Sequence, residues 1–141
     1  MTGRPSASRR TVLRGAALTP VAGLGLAACS GGNGGGASAA PTAPVVLGAE
    51  SEVARGGAEL YRDRNVVVSR ADDDALTAFS SICTHAGCAI DRLDGTTLVC
   101  PCHGSEFDAR TGKVLRAPAT EPLEALPVRV KDGRIVAGPE A

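Results

Sequence analysis

The residues able to do chemistry in this chain gather in one stretch, Cys83 to Ser105. Both histidines and four of the five cysteines lie there, in Cys83-Thr84-His85-Ala86-Gly87-Cys88 and Cys100-Pro101-Cys102-His103-Gly104-Ser105. Each segment offers one Cys and one His at close spacing, plus one further Cys. Thiolate and imidazole are ligands for zinc and for iron, so a metal centre is the first chemistry to weigh. Structural zinc is one reading, because two Cys and two His are a common zinc set. Zinc modules usually present two Cys and then two His at helical spacing. Here each segment mixes the types, as C-x-H and C-x-x-H. Zinc would also leave two flanking cysteines without a role. A framework of disulfides alone would leave both histidines idle.

The two segments resemble the Rieske iron–sulfur signature, C-x-H-x-G-C followed by C-x-C-H-G-S, at every fixed position. In that family two imidazoles replace two thiolates on one iron of a [2Fe-2S] cluster. The resemblance implies that Cys83 and Cys100 bind one iron as thiolates. It implies that His85 and His103 bind the other through a ring nitrogen, with their outer nitrogens near solvent, where protonation can couple to reduction. Two ferric ions, two sulfides and two thiolates sum to zero charge, whereas four thiolates would give −2. Adding an electron therefore costs less, and potentials of about −150 to +300 mV result, against about −400 mV for plant-type ferredoxins.

Further residues follow from the same resemblance. Cys88 and Cys102 are similar to the disulfide pair that clamps the two loops in the cytochrome bc branch, a pair that oxygenase-type members generally lack. Gly87 and Gly104 would let the backbone run close to the cluster. Ser105 matches the serine that donates a hydrogen bond to a bridging sulfide. Ala117-Pro118-Ala119 resembles the proline-containing loop that covers the cluster. Two residues depart from the quinol-oxidising pattern. Phe107 stands where high-potential members have a tyrosine bonded to a cysteine sulfur, and Ala86 where they typically have a shielding Leu. The membrane-spanning anchor usual in those subunits is also not expected. No substrate pocket or catalytic residue is legible.

The elements that must hold these loops are short. Val45–Leu47, Val66–Ser69, Leu76–Phe79, Thr97–Cys100, Pro127–Val130 and Arg134–Val136 are β-branched or aliphatic runs of strand length. Asp94-Gly95 and Asp132-Gly133 fall between such runs and predict hairpin turns. Asp72–Asp74 reads as a solvated turn rather than a metal site. No amphipathic helix is evident. The pattern predicts an all-β antiparallel domain over residues 45–141. The resemblance implies a Rieske-type β sandwich, with a small cluster-binding subdomain of two loops at one end.

At 141 residues the chain has room for one domain and an export segment. Its three aromatics (Tyr61, Phe79, Phe107) and absent Trp leave a small aliphatic core. A bound cluster would then supply part of that core. Net charge is zero, but Arg4, Arg9, Arg10 and Arg14 all precede position 28, and all 15 acidic residues follow it. The later part holds 15 − 4 = 11 basic residues against 15 acidic, a net of −4. That argues against nucleic acid or an anionic membrane as a direct electrostatic partner.

Residues 1–28 read as a targeting segment. Ser8-Arg9-Arg10-Thr11-Val12-Leu13 resembles the twin-arginine export motif, which serves proteins folded before export. The apolar run Gly15 to Ala28 is 14 residues long, shorter than the ~20 that span a bilayer as a helix. Leu26-Ala27-Ala28-Cys29 resembles a lipobox, which implies lipidation at Cys29. Residues 29–44 read as a flexible Gly/Ser/Pro tether of roughly 20 Å r.m.s. span. Under this reading the fifth cysteine has a role and no thiol is left over.

The function expected is one-electron transfer on the outer face of the cell membrane. The protein would be a cytochrome-bc-like Rieske subunit or a free-standing relative, held to the membrane by an N-terminal lipid. Its partner would be a cytochrome or the large subunit of an oxidoreductase. An arsenite-oxidase-type small subunit and an oxygenase-type ferredoxin are the alternatives. The export segment and the Cys88/Cys102 pair speak against the ferredoxin.

Overall fold

The computed structural model describes residues 39–141. The twin-arginine segment, Cys29 and the tether up to Ser38 lie outside the described residues. Eleven short strands follow in order. They are β1 (Val45–Ala49), β2 (Ala58–Tyr61), β3 (Val66–Arg70), β4 (Leu76–Ser80), β5 (Arg92–Asp94) and β6 (Thr97–Val99), then β7 (Glu106–Asp108), β8 (Val114–Arg116), β9 (Ala125–Leu126), β10 (Val128–Lys131) and β11 (Arg134–Ala137). The only helical elements among the described residues are two 3-10 turns, Glu50–Glu52 and Arg62–Arg64. No helix there is long and apolar enough to cross a membrane.

The strands form three sheets, ordered β1-β11-β10, β2-β3-β4-β9 and β5-β6-β7-β8. Every pairing is antiparallel. The first two sheets face each other across one core, with Leu47, Ile135 and Ala137 from the first against Val66, Val68, Ala78 and Leu126 from the second. The opposite face of the second sheet supplies Val67 and Phe79 to another core. That core also holds Cys83, Ile90, Leu98, Cys100, Phe107, Ala109, Ala119 and Leu123. β3 is thus buried on both faces, which is why its sequence is an unbroken apolar run and not an alternation.

All six expected strands form, with ends shifted by one or two residues. Cys100 falls just past β6, at the start of a loop. β2, β5, β7, β8 and β9 were not expected. Glu106-Phe107-Asp108 and Ala125-Leu126 are too short to show a period. Asp132-Gly133 forms the predicted two-residue turn, both residues having positive φ (50° and 72°) between Lys131 and Arg134. The other hairpin turns one residue later, at Gly95-Thr96, because Asp94 pairs with Thr97.

The Asp72–Asp74 turn is solvated at Asp72 and Asp73. Asp74 instead binds Arg55 and Arg70, and Arg70 reaches on to Glu50 at 3.2 Å. The end of the expected tether already touches the domain, where the Asn65 side-chain amide donates to Ala39 O at 2.9 Å.

Candidate metal centre

β4 runs into the first loop and β6 into the second. Both loops close by the same bonds. Cys83 N–H donates to Cys88 O at 2.8 Å, and Gly87 N–H donates back to Cys83 O at 2.9 Å. In the second loop Cys100 N–H donates to Ser105 O at 2.9 Å, and Gly104 N–H to Cys100 O at 3.1 Å. Each turn therefore places its glycine at the same point, with φ of 72° and 75°. No protein atom lies within 4 Å of where a Cβ would sit on either one. The left-handed backbone is what calls for glycine here.

The four ligand candidates separate by exposure. Cys83 and Cys100 are buried, each 2% exposed, in the core with Phe107 and Leu98. His85 and His103 are exposed at the tip of the loops. Their ring centroids lie 4.8 Å apart with the planes at 83°. Cys88 and Cys102 form a disulfide that joins the loops, with a Cα–Cα distance of 6.6 Å. The sulfurs of Cys88, Cys100 and Cys102 lie within 4.8 Å of one another. Two of those three are bonded together and cannot act as thiolates, which leaves Cys83 and Cys100 as the free thiols of the described residues.

Burial pushes the Cys100 thiol above its ordinary value. The backbone amides of Cys102 and His103 oppose that shift, and the adjacent Cys83 adds to it. Two thiols packed side by side out of water gain most from a cation that takes both as thiolates.

A third segment is hydrogen-bonded to both loops. The Ala117–Pro118 peptide is cis, and Pro118 is exposed beside buried Ala119. Ser105 is fully buried, and its Oγ accepts a hydrogen bond from Ala119 N–H at 3.0 Å. Its own proton remains available for an acceptor in the site. Thr84 Oγ1 donates to Glu121 O at 2.6 Å. Nothing in the sequence marks Thr84, since a hydroxyl between two ligand candidates looks like any exposed turn residue. Phe107 is completely buried and pairs with Leu98 across β6 and β7. Ala86 is exposed.

Two buried thiols, two exposed imidazoles and a disulfide-joined loop pair on an antiparallel frame define a metalloprotein of the iron–sulfur type. The Rieske [2Fe-2S] domain family matches residues 43–127, more than half of the chain. The cytochrome b6-f complex iron-sulfur subunit of Chlorobaculum tepidum is 34% identical over 96 residues, covering 65% of this chain and 51% of that protein. The chain thus matches about half the length of that relative. The cytochrome b6-f complex iron-sulfur subunit of Thermosynechococcus vestitus is 34% identical over 137 residues, covering 87% of this chain and 73% of the relative. Among solved structures, one chain of the complex of reduced oxygenase and oxidized ferredoxin in carbazole 1,9a-dioxygenase is similar with a TM-score of 0.50 and 28% identity. That match covers 67% of this chain and 92% of the other. The chain belongs to the Rieske [2Fe-2S] domain family. The matched domain is one that binds a [2Fe-2S] cluster.

Proposed function

We propose that Cys83 and Cys100 hold one iron of the cluster and His85 and His103 the other. The protein then works as a cytochrome-bc-like Rieske component, or a free-standing relative, on the outer face of the cell membrane. The observation that carries the ligand assignment is the division of the site. Two free thiols lie in the core and two imidazoles lie at the surface, while the remaining two cysteines of the described residues are already bonded together. When bound, the cluster stores and releases one electron.

The residues divide the remaining work. Cys83 and Cys100 anchor the buried side, where Leu98 and Phe107 exclude water. The exposed imidazole edges of His85 and His103 are the shortest path to a docked partner. Ser105, fixed by Ala119, can direct its free proton toward the cluster. The disulfide keeps the two loops in one register.

The location rests on different support. The disulfide suits an oxidising compartment. Ser8–Leu13 and Leu26–Cys29 supply an export motif and a lipidation site ahead of the domain at 45–141. The similarity to cytochrome b6-f subunits favours a cytochrome as electron acceptor. Phe107 and Ala86 favour a second reading, a small subunit serving an extracytoplasmic oxidoreductase. Copurification with a large molybdenum-containing protein would select it. Metal and sulfide analysis tests the centre itself: two irons and two acid-labile sulfides per chain are expected. One zinc and no sulfide would overturn the assignment.

A further inference from the structure

The outward face of the first sheet collects cations that no carboxylate neutralises. Leu47, Ile135 and Ala137 point into the core between the first two sheets. Alternation along the strands therefore turns Val46, Arg129, Lys131, Arg134 and Val136 to the opposite face. The pairings agree, since Val46 and Arg129 flank Val136, and Lys131 lies directly opposite Arg134. Six of the 11 basic residues after position 28 (Arg55, Arg64, Arg70, Arg92, Arg110 and Arg116) are ion-paired. Arg129, Lys131 and Arg134 are exposed and have no ion-pair partner among the described residues, Asp132 in the turn of the same hairpin included. Like charges directly opposite each other in a sheet are destabilising, so the Lys131–Arg134 pair adds nothing to the fold. Arg134 is nonetheless held in place, donating from its guanidinium to Leu47 O at 2.8 Å. Beside these cations Val46 is 53% exposed, an apolar spot on a basic face.

We propose that this face docks on anionic lipid headgroups and sets the domain down with its thiol-bearing side away from the bilayer. The inference rests on the membrane location proposed above. The length of chain ahead of the domain selects lipid as the occupant. Ten residues separate Cys29 from Ala39, the first described residue, a reach of at most about 35 Å. A domain held by lipid at Cys29 always has a headgroup surface within that reach, and β1 begins six residues after Ala39. Close to an anionic surface basic side chains are drawn in and acidic ones pushed out, an effect that fades beyond about 8–10 Å. The net of −4 after position 28 then turns the other faces outward and this one inward. The layers run from the first sheet through an apolar core to the second sheet, and then to the core of Cys83 and Cys100. Seated on its first sheet, the domain leaves that last layer open to a partner arriving from water. Three cations orient the domain, while the lipid retains it.

The chain carries its own reporters, because Lys113 and Lys131 are its two lysines and both are exposed. Lys131 lies on the basic face, whereas Lys113 precedes β8 in the sheet that carries Leu98 and Phe107. The full chain loaded with its cluster is bound at low salt to phosphatidylcholine vesicles containing phosphatidylglycerol. Exposed amines are then acylated with a membrane-impermeant reagent and the two sites compared by mass spectrometry. Relative to the vesicle-free chain, the ratio of labelling at Lys131 to that at Lys113 should fall at least about fivefold, the factor one cation at such a surface supports. Arg129→Glu, with its cluster absorbance unchanged, should bring the ratio back to within about twofold of the vesicle-free value. An unchanged ratio, equal protection of both lysines, native protection in Arg129→Glu, or no binding to these vesicles would overturn the proposal. An acidic protein as the true occupant of the face would give the first of these results. Failure of the lipidation reading is separable, since a Cys29→Ala chain can be taken through the same labelling. The ratio reports which side meets the headgroups, whatever holds the chain to them.

Discussion

A phenyl ring fills a buried position in the core that holds the two free thiols. Phe107 is completely inaccessible and shares one core with Cys83 and Cys100. A hydroxyl donating to a cluster sulfur stabilises the reduced, more negative state. Hydrogen bonds to charged groups are worth about 1.5–3 kcal/mol, and only the part that strengthens on reduction moves the potential. A differential of ~1 kcal/mol corresponds to roughly 40 mV for one electron, on the scale of 59 mV per tenfold. The native protein is therefore expected at about +100 to +200 mV, below the top of the Rieske range. Phe107→Tyr should raise this by some tens of millivolts, read by protein-film voltammetry. No change, or a fall, would mean that the added hydroxyl does not reach a sulfur. At this scale the sequence was most informative. Ligand candidates are side-chain types at fixed spacing, so His85 and His103 could be picked out directly. Thr84 and Asp74 could not, because their partners (Glu121 O, Arg55, Arg70) are brought to them by the fold.

At the scale of elements, the turn between β7 and β8 carries more than a connection. Gly112 has φ of 71°, and its carbonyl accepts the hydrogen bond of Leu123 N–H at 2.8 Å. A Cβ there would lie 2.6 Å from Phe79 Cε1 and 3.3 Å from Leu123 O. Gly112→Ala therefore combines a left-handed backbone penalty of about 1–2 kcal/mol with overpacking of about 1–3 kcal/mol. A loss of about 2–5 kcal/mol is expected in urea unfolding, with faster cluster loss. Native-like stability would show that Phe79 and the β7–β8 turn can shift apart at little cost. The strands were legible in proportion to their length. β3 and β11 stand out as aliphatic runs, whereas β7 and β8 take shape from pairing with neighbours. The Gly95-Thr96 turn was placed one residue early because Asp-Gly is a strong local signal and the register of β5 with β6 is set by packing.

Across the whole chain the charge is unevenly spread: Arg4, Arg9, Arg10 and Arg14 precede Cys29, and the acidic excess follows it. If Cys29 carries the lipid, Cys29→Ala should move the protein from the membrane to the soluble fraction of cell lysates. A variant that stays fully membrane-bound would point to an uncleaved helix or a protein partner instead. The strand pattern made the domain legible as all-β, and the resemblance implied a sandwich with a cluster-binding subdomain; the sharing of β3 between two cores was not legible, since nothing local in Val66-Val67-Val68 says which side chain faces which neighbour.

That division makes β3 a party wall. Val66 and Val68 lie in one core and Val67 in the other, and all three are fully buried. Neither compartment can lose its order without exposing the wall of the other, so the domain should melt as a single cooperative unit. Val67→Ala removes packing on the cluster side alone, at a cost of about 1–3 kcal/mol. Visible absorbance of the cluster and far-ultraviolet dichroism of the whole β framework should nevertheless fall together, at one lowered midpoint. Separate midpoints would mean that the two compartments unfold independently. A shared wall also makes the redox head hard to detach in evolution or by design: grafting the two loops elsewhere would require carrying the valine strand and both of its neighbours with them.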